Sequence, residues 1–161
     1  MKRKSFAFFT ALAVAAVTSC SNPEPKPEET KPTGTEKVLE TFPGGQVKNV
    51  VIVREGTEND VLYQTIFYED GKVHMQGGLD SGKRVGSWET FHKDGKPWSL
   101  NTYTNGNFDG PYKAWYESGQ IRIDGNYSMG KRVGVWNYYA EDGTVTRTEN
   151  LPAASTPTTK K

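Results

Sequence analysis

Glycine returns every 24 residues through the middle of this chain, and that spacing limits the possible folds more than any other feature. Gly71, Gly95, Gly119 and Gly143 form one series, Gly82, Gly106 and Gly130 a second, and Gly86, Gly110 and Gly134 a third. Aromatic residues keep the same step, with Trp88, Tyr112 and Trp136 at one phase and Phe67, Phe91, Trp115 and Tyr139 at another. Self-similarity at a fixed period of this length marks stacked supersecondary units, so the chain reads as an array and not as an enzyme built around one pocket.

Within a unit the pattern alternates. Ile121, Ile123, Gly125 and Tyr127 are interleaved with Arg122, Asp124 and Asn126, which is the period of a strand with one covered face. The same phases hold Val73, Met75, Gly77 and Leu79 two steps earlier. They hold the weaker series Val145, Arg147, Glu149 and Leu151 one step later, and the poorest match, Pro97, Ser99, Asn101 and Tyr103, one step before. Asp70-Gly71, Asp94-Gly95 and Asp142-Gly143 separate strand-like runs, with Ser118-Gly119 in the same slot. Asp-Gly suits a two-residue type I′ turn, so each unit is expected to be a β-hairpin. The links carrying two glycines four apart suggest a fixed bend with unusual backbone angles. No apolar stripe of period 3.6 survives this glycine density, which argues against helices.

The ring pairs pose a question. Trp88 and Phe91 are three apart, as are Tyr112 and Trp115. Strict alternation sends such pairs to opposite faces, so either both faces are partly covered or a bulge re-aims one ring. Upstream, Val47 occupies the expected glycine phase and the period stops. Val50 to Val53 then reads as a capping strand, with Lys48, Arg54 and the thinning last hairpin blunting the sheet edges. The expected fold is all-β: an elongated antiparallel meander of tandem 24-residue hairpins over residues 38–151.

The start of the chain has a different character. Lys2, Arg3 and Lys4 precede an apolar run from Phe6 to Val17, shorter than the ~20 residues that span a bilayer, as in a secretory signal over residues 1–19. Val17-Thr18-Ser19-Cys20 resembles the lipobox of bacterial lipoproteins, in which the cysteine is lipidated and becomes the new N-terminus. That resemblance implies an acylated (palmitate-type) Cys20 and a place in the bacterial cell envelope, anchored at the outer membrane. Cys20 is the only cysteine, so no intrachain disulfide is available. Loss of the signal would turn the formal charge of +1 into about −2, which gives no electrostatic case for nucleic acid. Pro23, Pro25, Pro27 and Pro32 among acidic residues make residues 20–37 an extended tether, reaching up to roughly 50 Å at ~3.1 Å per residue. Residues 152–161 are similar in kind and are expected to fray.

Gly82-Lys83-Arg84-Val85-Gly86-Ser87-Trp88 and Gly130-Lys131-Arg132-Val133-Gly134-Val135-Trp136 resemble the bacterial variant of the MORN repeat, with its Gly-Lys-x-x-Gly-x-Trp signature. Trp115 to Gly119 and Tyr138 to Gly143 match its aromatic, acidic, glycine half, so the likeness covers about residues 63–151. Asn107-Phe108-Asp109-Gly110 and Tyr112 depart from it. Proteins with this repeat are often labelled antitoxins of the YwqK family. The resemblance therefore implies a toxin-neutralising binder as one alternative to a general interaction or scaffolding module.

Candidate chemistry is sparse. His74 and His92 stand at different phases and are expected to face outward or beside a sheet edge, without metal-ligand spacing. The aspartates of the Asp-Gly pairs are expected to bond their own backbone. Gly-Lys-Arg-Val-Gly lacks the context of a phosphate loop. No cofactor, metal or catalytic group is expected, and the chain reads as a non-enzyme with a protein partner. Lys83, Arg84, Lys131 and Arg132 are candidates for a shared edge that meets anionic groups, against a plain solvated loop. Trp98, at an outward phase, is a candidate contact residue. A cell-wall carbohydrate binder or enzyme is the rival of another class, and it needs two acids converging on a cleft.

Overall fold

Among the described residues ten strands follow one another through one antiparallel sheet, each paired with its neighbours in sequence. They are β1 (Thr35–Thr41), β2 (Val47–Val53), β3 (Val61–Phe67), β4 (Val73–Asp80), β5 (Lys83–Phe91), β6 (Pro97–Thr104), β7 (Asn107–Trp115), β8 (Ile121–Ser128), β9 (Lys131–Tyr139) and β10 (Val145–Leu151). This computed structural model describes residues 30–153. The signal segment 1–19, Cys20, most of the tether and most of the tail lie outside the described residues. The all-β hairpin meander expected from the glycine period is the fold observed, and the described residues contain no helix.

The two kinds of turn are the reverse of the expectation. Ser81, Asn105 and Met129 have φ of 51°, 55° and 48°, and each is followed by a glycine with positive φ. Asp80 pairs with Lys83, Thr104 with Asn107 and Ser128 with Lys131, so these links are two-residue type I′ turns. The Asp-Gly slots are longer. Tyr68 N–H donates to Lys72 O at 2.8 Å, and Gly71 N–H to Tyr68 O at 3.0 Å. Only the glycine of that slot has positive φ, as in a type I turn closed by a left-handed glycine. His92, Tyr116 and Ala140 open identical turns.

The third glycine series sits inside strands. Gly77 pairs with Trp88 but Gly78 pairs with Val85, which leaves Gly86 and Ser87 looped out of the β4–β5 ladder. The same two-residue excess recurs at Gly110 and Gly134. Gly86 has φ of 65° and Gly134 of 66°, left-handed values that a side chain resists. The expected bend is therefore a bulge inside the strand.

The N-terminal end needs three corrections. The period does not stop at Val47. Phe42 N–H donates to Gln46 O and Gly45 N–H to Phe42 O, the same turn two residues out of phase. A longer loop over residues 54–60, tied by Arg54 Nε to Asp60 Oδ2 at 2.7 Å, stands where later repeats have a type I′ turn. Val50 to Val53 therefore belongs to β2, and β1 is the edge strand. Lys48 and Arg54 do not blunt that edge; β1 blunts it with its own register shifts around Glu40 and with Glu36 and Lys37. Finally, residues assigned to the tether join the domain. Thr35 opens β1, Lys31 Nζ lies 3.4 Å from Thr65 Oγ1, and Pro32 lies in a shallow groove beside Tyr63, Gly78 and Val85. This cover explains why Ile52, Tyr63 and Thr65 are buried in a sheet only one layer thick.

Met129 is the misfit among the type I′ turns. It is 72% exposed, holds φ of 48°, and takes the slot that Asn105 fills one repeat earlier. Left-handed backbone costs a non-glycine residue about 1–2 kcal/mol, whereas asparagine bonds locally and tolerates it. Met129→Asn is expected to raise the melting temperature by a few degrees, roughly 1 kcal/mol of stability. A fall on calorimetry would contradict the turn geometry.

Candidate interaction surface

Residues opposite one another in an antiparallel ladder share a face. Following the register across the sheet puts Gln64, Gly77, Trp88, Asn101, Tyr112 and Gly125 in one row on one face. Trp136 closes the row against Gly125 and pairs with Glu149. Ring-bearing strands thus alternate with strands that present a small or flat residue. The reason is contact. A Cβ on Gly77 would stand 2.4 Å from the Trp88 ring, and one on Gly125 2.3 Å from the Trp136 ring. The middle repeat has Asn101 opposite Tyr112, a smaller ring and a larger floor.

Each indole is held from three sides. Trp88 Nε1–H donates to Gly78 O at 2.8 Å and Trp136 Nε1–H to Asn126 O at 3.1 Å, both carbonyls lying beside a bulge. Arg84 Cζ sits 4.1 Å from the centre of the Trp88 ring, and Arg132 Cζ 4.1 Å from that of Trp136. Arg84 also donates to the Tyr103 hydroxyl at 3.2 Å, and Arg132 to that of Tyr138 at 2.7 Å and to the Glu149 carboxylate. In the middle repeat Phe108 takes the arginine slot and stacks between Tyr103 and Tyr127, at 4.7 and 4.9 Å. Tyr112 and Tyr127 complete the ladder against Trp136, at 5.4 and 5.0 Å. Burial raises the ionisation of both tyrosines above the usual value of 10.0, so they stay neutral hydroxyls. Trp88 and Trp136 are 1% and 2% exposed, so this face is the core of the repeats, with guanidinium groups as its lid.

The second face carries the row Gln76, Glu89, Leu100, Lys113, Asp124, Asn137 and Thr148. Alternation also sends Phe67, Phe91, Trp115 and Tyr139 to this face, next to register shifts in the partner strands. The ring pairs therefore lie on opposite faces by plain alternation, and no bulge within the ring-bearing stretch re-aims either ring. At the three-residue turns, neighbouring groups stack in register: Tyr68 on His74 at 4.4 Å, His92 on Trp98 at 5.9 Å, and the Arg122 guanidinium over Tyr116 at 5.9 Å. Tyr68 OH donates to Phe91 O and Tyr116 OH to Tyr139 O, which ties each turn to the next repeat. Lys72 and Lys96 do likewise through Lys93 O and Glu117 O.

The sequence-derived candidates separate on this framework. Lys83 and Lys131 open β5 and β9 as exposed strand residues, not loop residues, while Arg84 and Arg132 turn inward as ring lids. They form no common cationic edge with Trp98. Trp98 sits at the start of β6, near the opposite strand ends and on the second face, 41% exposed and followed by Leu100 at the next position on that face. His74 and His92 do not lie at a sheet edge. The His92 side chain is only 17% exposed, between Trp98 and Glu117. Among the described residues no group of three or more histidines, cysteines or acids converges. The turn aspartates do what aspartate does in turns. Asp70, Asp94 and Asp142 accept from the backbone N–H two residues on, at 3.1, 2.9 and 2.9 Å. These bonds lower the Asp94 and Asp142 pKa values below 3.8, through Lys96 N–H in the first and the Thr144 hydroxyl and N–H in the second. The lids on the indoles were missed from sequence, although Arg84 and Arg132 share a phase four residues before each tryptophan.

Comparison with known proteins places this geometry. The family model described as MORN repeat variant matches residues 84–105 and 108–129. No curated protein and no solved structure matches the chain.

Proposed function

We propose that this MORN-repeat protein is a non-enzymatic interaction module, held at the bacterial envelope by a lipid on Cys20 and presenting the Trp98 face to a protein partner. The repeat family supports an interaction role. The observation that carries the choice of surface is the contrast between tryptophans. Trp88 and Trp136 are closed under arginine, whereas Trp98 stands 41% open beside Leu100 on the second face. A large ring left this open on a sheet face is the kind of anchor that binding surfaces use. The turn acids are engaged by their own backbone, which leaves them poorly placed for general acid–base work on a sugar. A toxin-neutralising role is a narrower form of the same reading, and identification of a small toxic protein as the partner would specify it.

Two substitutions in cells test this. Cys20→Ala should move the protein out of the membrane fraction; unchanged partitioning would refute the anchor. Trp98→Ser should leave the stability within about 1 kcal/mol of wild type, because an exposed ring contributes little to the core. It should nevertheless abolish most cross-linking to the partner captured by the wild-type chain. Equal capture by both chains would remove Trp98 from the surface, and capture of glycan alone would favour the carbohydrate reading.

A further inference from the structure

Among the described residues the last strand of the sheet is paired along one edge alone, and its sequence is complementary to itself. β10 runs Val145-Thr146-Arg147-Thr148-Glu149-Asn150-Leu151 and pairs with β9 on one side only. A second copy laid antiparallel along the free side, with Thr148 opposite Thr148, brings Arg147 opposite Glu149 twice, Val145 opposite Leu151 twice and Thr146 opposite Asn150 twice. Directly opposed charges of opposite sign stabilise an antiparallel pair and like charges oppose it. The groups are already arranged for this. Glu149 and Arg147 lie side by side on the ring face, joined at 3.0 Å, and Arg147 is stacked on Tyr138 at 3.9 Å. Arg147 remains 59% exposed, so its guanidinium can reach across the edge.

The other edge behaves in the opposite way. β1 paired with itself about Val38 sets Glu36 against Glu40 twice, and its register shifts around Glu40 break the run of free donors. Laying β1 of one copy against β10 of another, centre to centre, places Arg147 against Leu39 and Thr148 against Val38, with Glu149–Lys37 as the single charge match. Open-ended stacking is therefore disfavoured relative to a closed two-fold pair. We infer that the chain forms an isologous dimer through β10, with the dyad at Thr148, joining two sheets into one of twenty strands. This surface is separate from Trp98 and does not depend on the role assigned to it.

The test uses the full chain carrying Cys20→Ser in mild detergent. Sedimentation should give twice the monomer mass at about 0.1 mM, where even a pair with Kd near 10 µM associates. Arg147→Glu alone, with all four charges negative, should be monomeric, and so should Glu149→Arg alone. An equimolar mixture of the two should recover the dimer, because each then supplies the other's complement. In the same background Thr148→Cys should form an interchain disulfide, since opposed Cα atoms lie about 4.5–5.5 Å apart. Thr146→Cys should cross-link at least ten times more slowly, its symmetry mate being four residues out of register, about 13 Å away. This cysteine pair also decides the matter if a charge variant fails to fold. A Cys20→Ser chain that stays monomeric, a mixture that fails to recover, or equal cross-linking at 146 and 148 overturns the proposal.

Discussion

Trp88→Ala is expected to lower the melting temperature by about 12–20 °C, the equivalent of 3–5 kcal/mol lost when a buried tryptophan is truncated. The magnitude follows from the architecture. Among the described residues no second layer covers the rings, so each buried ring is covered by its neighbours on the same face. Trp88 is 1% exposed, with Gly77 beneath it, Arg84 above it at 4.1 Å and Tyr103 at 6.4 Å. Removing it strips the Arg84 guanidinium of its stacking partner and leaves Gly78 O without the indole donor. Against a total stability of about 5–15 kcal/mol, this change alone takes a large share. Thermal unfolding of the variant beside Trp98→Ser provides the check. Similar melting temperatures for the two would contradict the division into closed and open tryptophans.

The second large effect lies on the partner strand. Gly125→Ala puts a methyl group 2.3 Å from the Trp136 ring, which Asn126 O and Arg132 hold in place, so the indole has nowhere to retreat. Overpacking of this kind costs about 1–3 kcal/mol, and a larger residue costs more. The chain itself contains the remedy. At the equivalent positions of the middle repeat Asn101 faces Tyr112. Gly125→Asn alone is therefore expected to destabilise the sheet strongly, and adding Trp136→Tyr is expected to restore part of the loss. A double-mutant cycle should show a coupling of at least about 1 kcal/mol. Additive losses would mean that the glycine is not there to receive the ring.

Much of this fold could be read from periodicity, because the same hairpin is written several times and errors at one copy are corrected by the next. The phases of Gly77 and Gly125 were visible as covered positions, and the weak match at Asn101 turned out to be paired with the weak ring at Tyr112. What could not be read was which of two turn types belonged to which glycine. Asp70-Gly71 and Asn105-Gly106 look equally suited to a type I′ turn. The choice depends on whether two or three residues separate the last paired positions, and pairing is a property of both strands. The bulges were hidden for a similar reason. Gly86 shows only that a left-handed residue is wanted, not that the neighbouring strand runs two residues short there. Val47 misled because loop 54–60 shifts the phase, and a strict period cannot detect an insertion. The segment from Lys31 to Gly34 carries no apolar pattern, yet Gly34 is pressed against Val53 O and Ile52, a contact that only the three-dimensional arrangement reveals.

The surface was less legible than the core. Arg84 and Arg132 are charged residues that read as solvent-facing, and the sheet uses them as covers because guanidinium groups stack on indoles while their outer edges stay wet. That substitution of roles split the expected contact set: the two arginines went to the ring face and Trp98 stayed on the other.

The central claim is that indoles lie flat on glycines along one face of a single-layer sheet. It is tested most directly by the α-proton chemical shifts of the glycines. Protons held against the face of an aromatic ring are displaced strongly upfield. Gly77 and Gly125 should therefore show displaced α-protons with cross-relaxation to the Trp88 and Trp136 rings, while Gly82 and Gly130 in the open turns should not. Ordinary shifts at Gly77 and Gly125, in a chain that remains folded by circular dichroism, would contradict it.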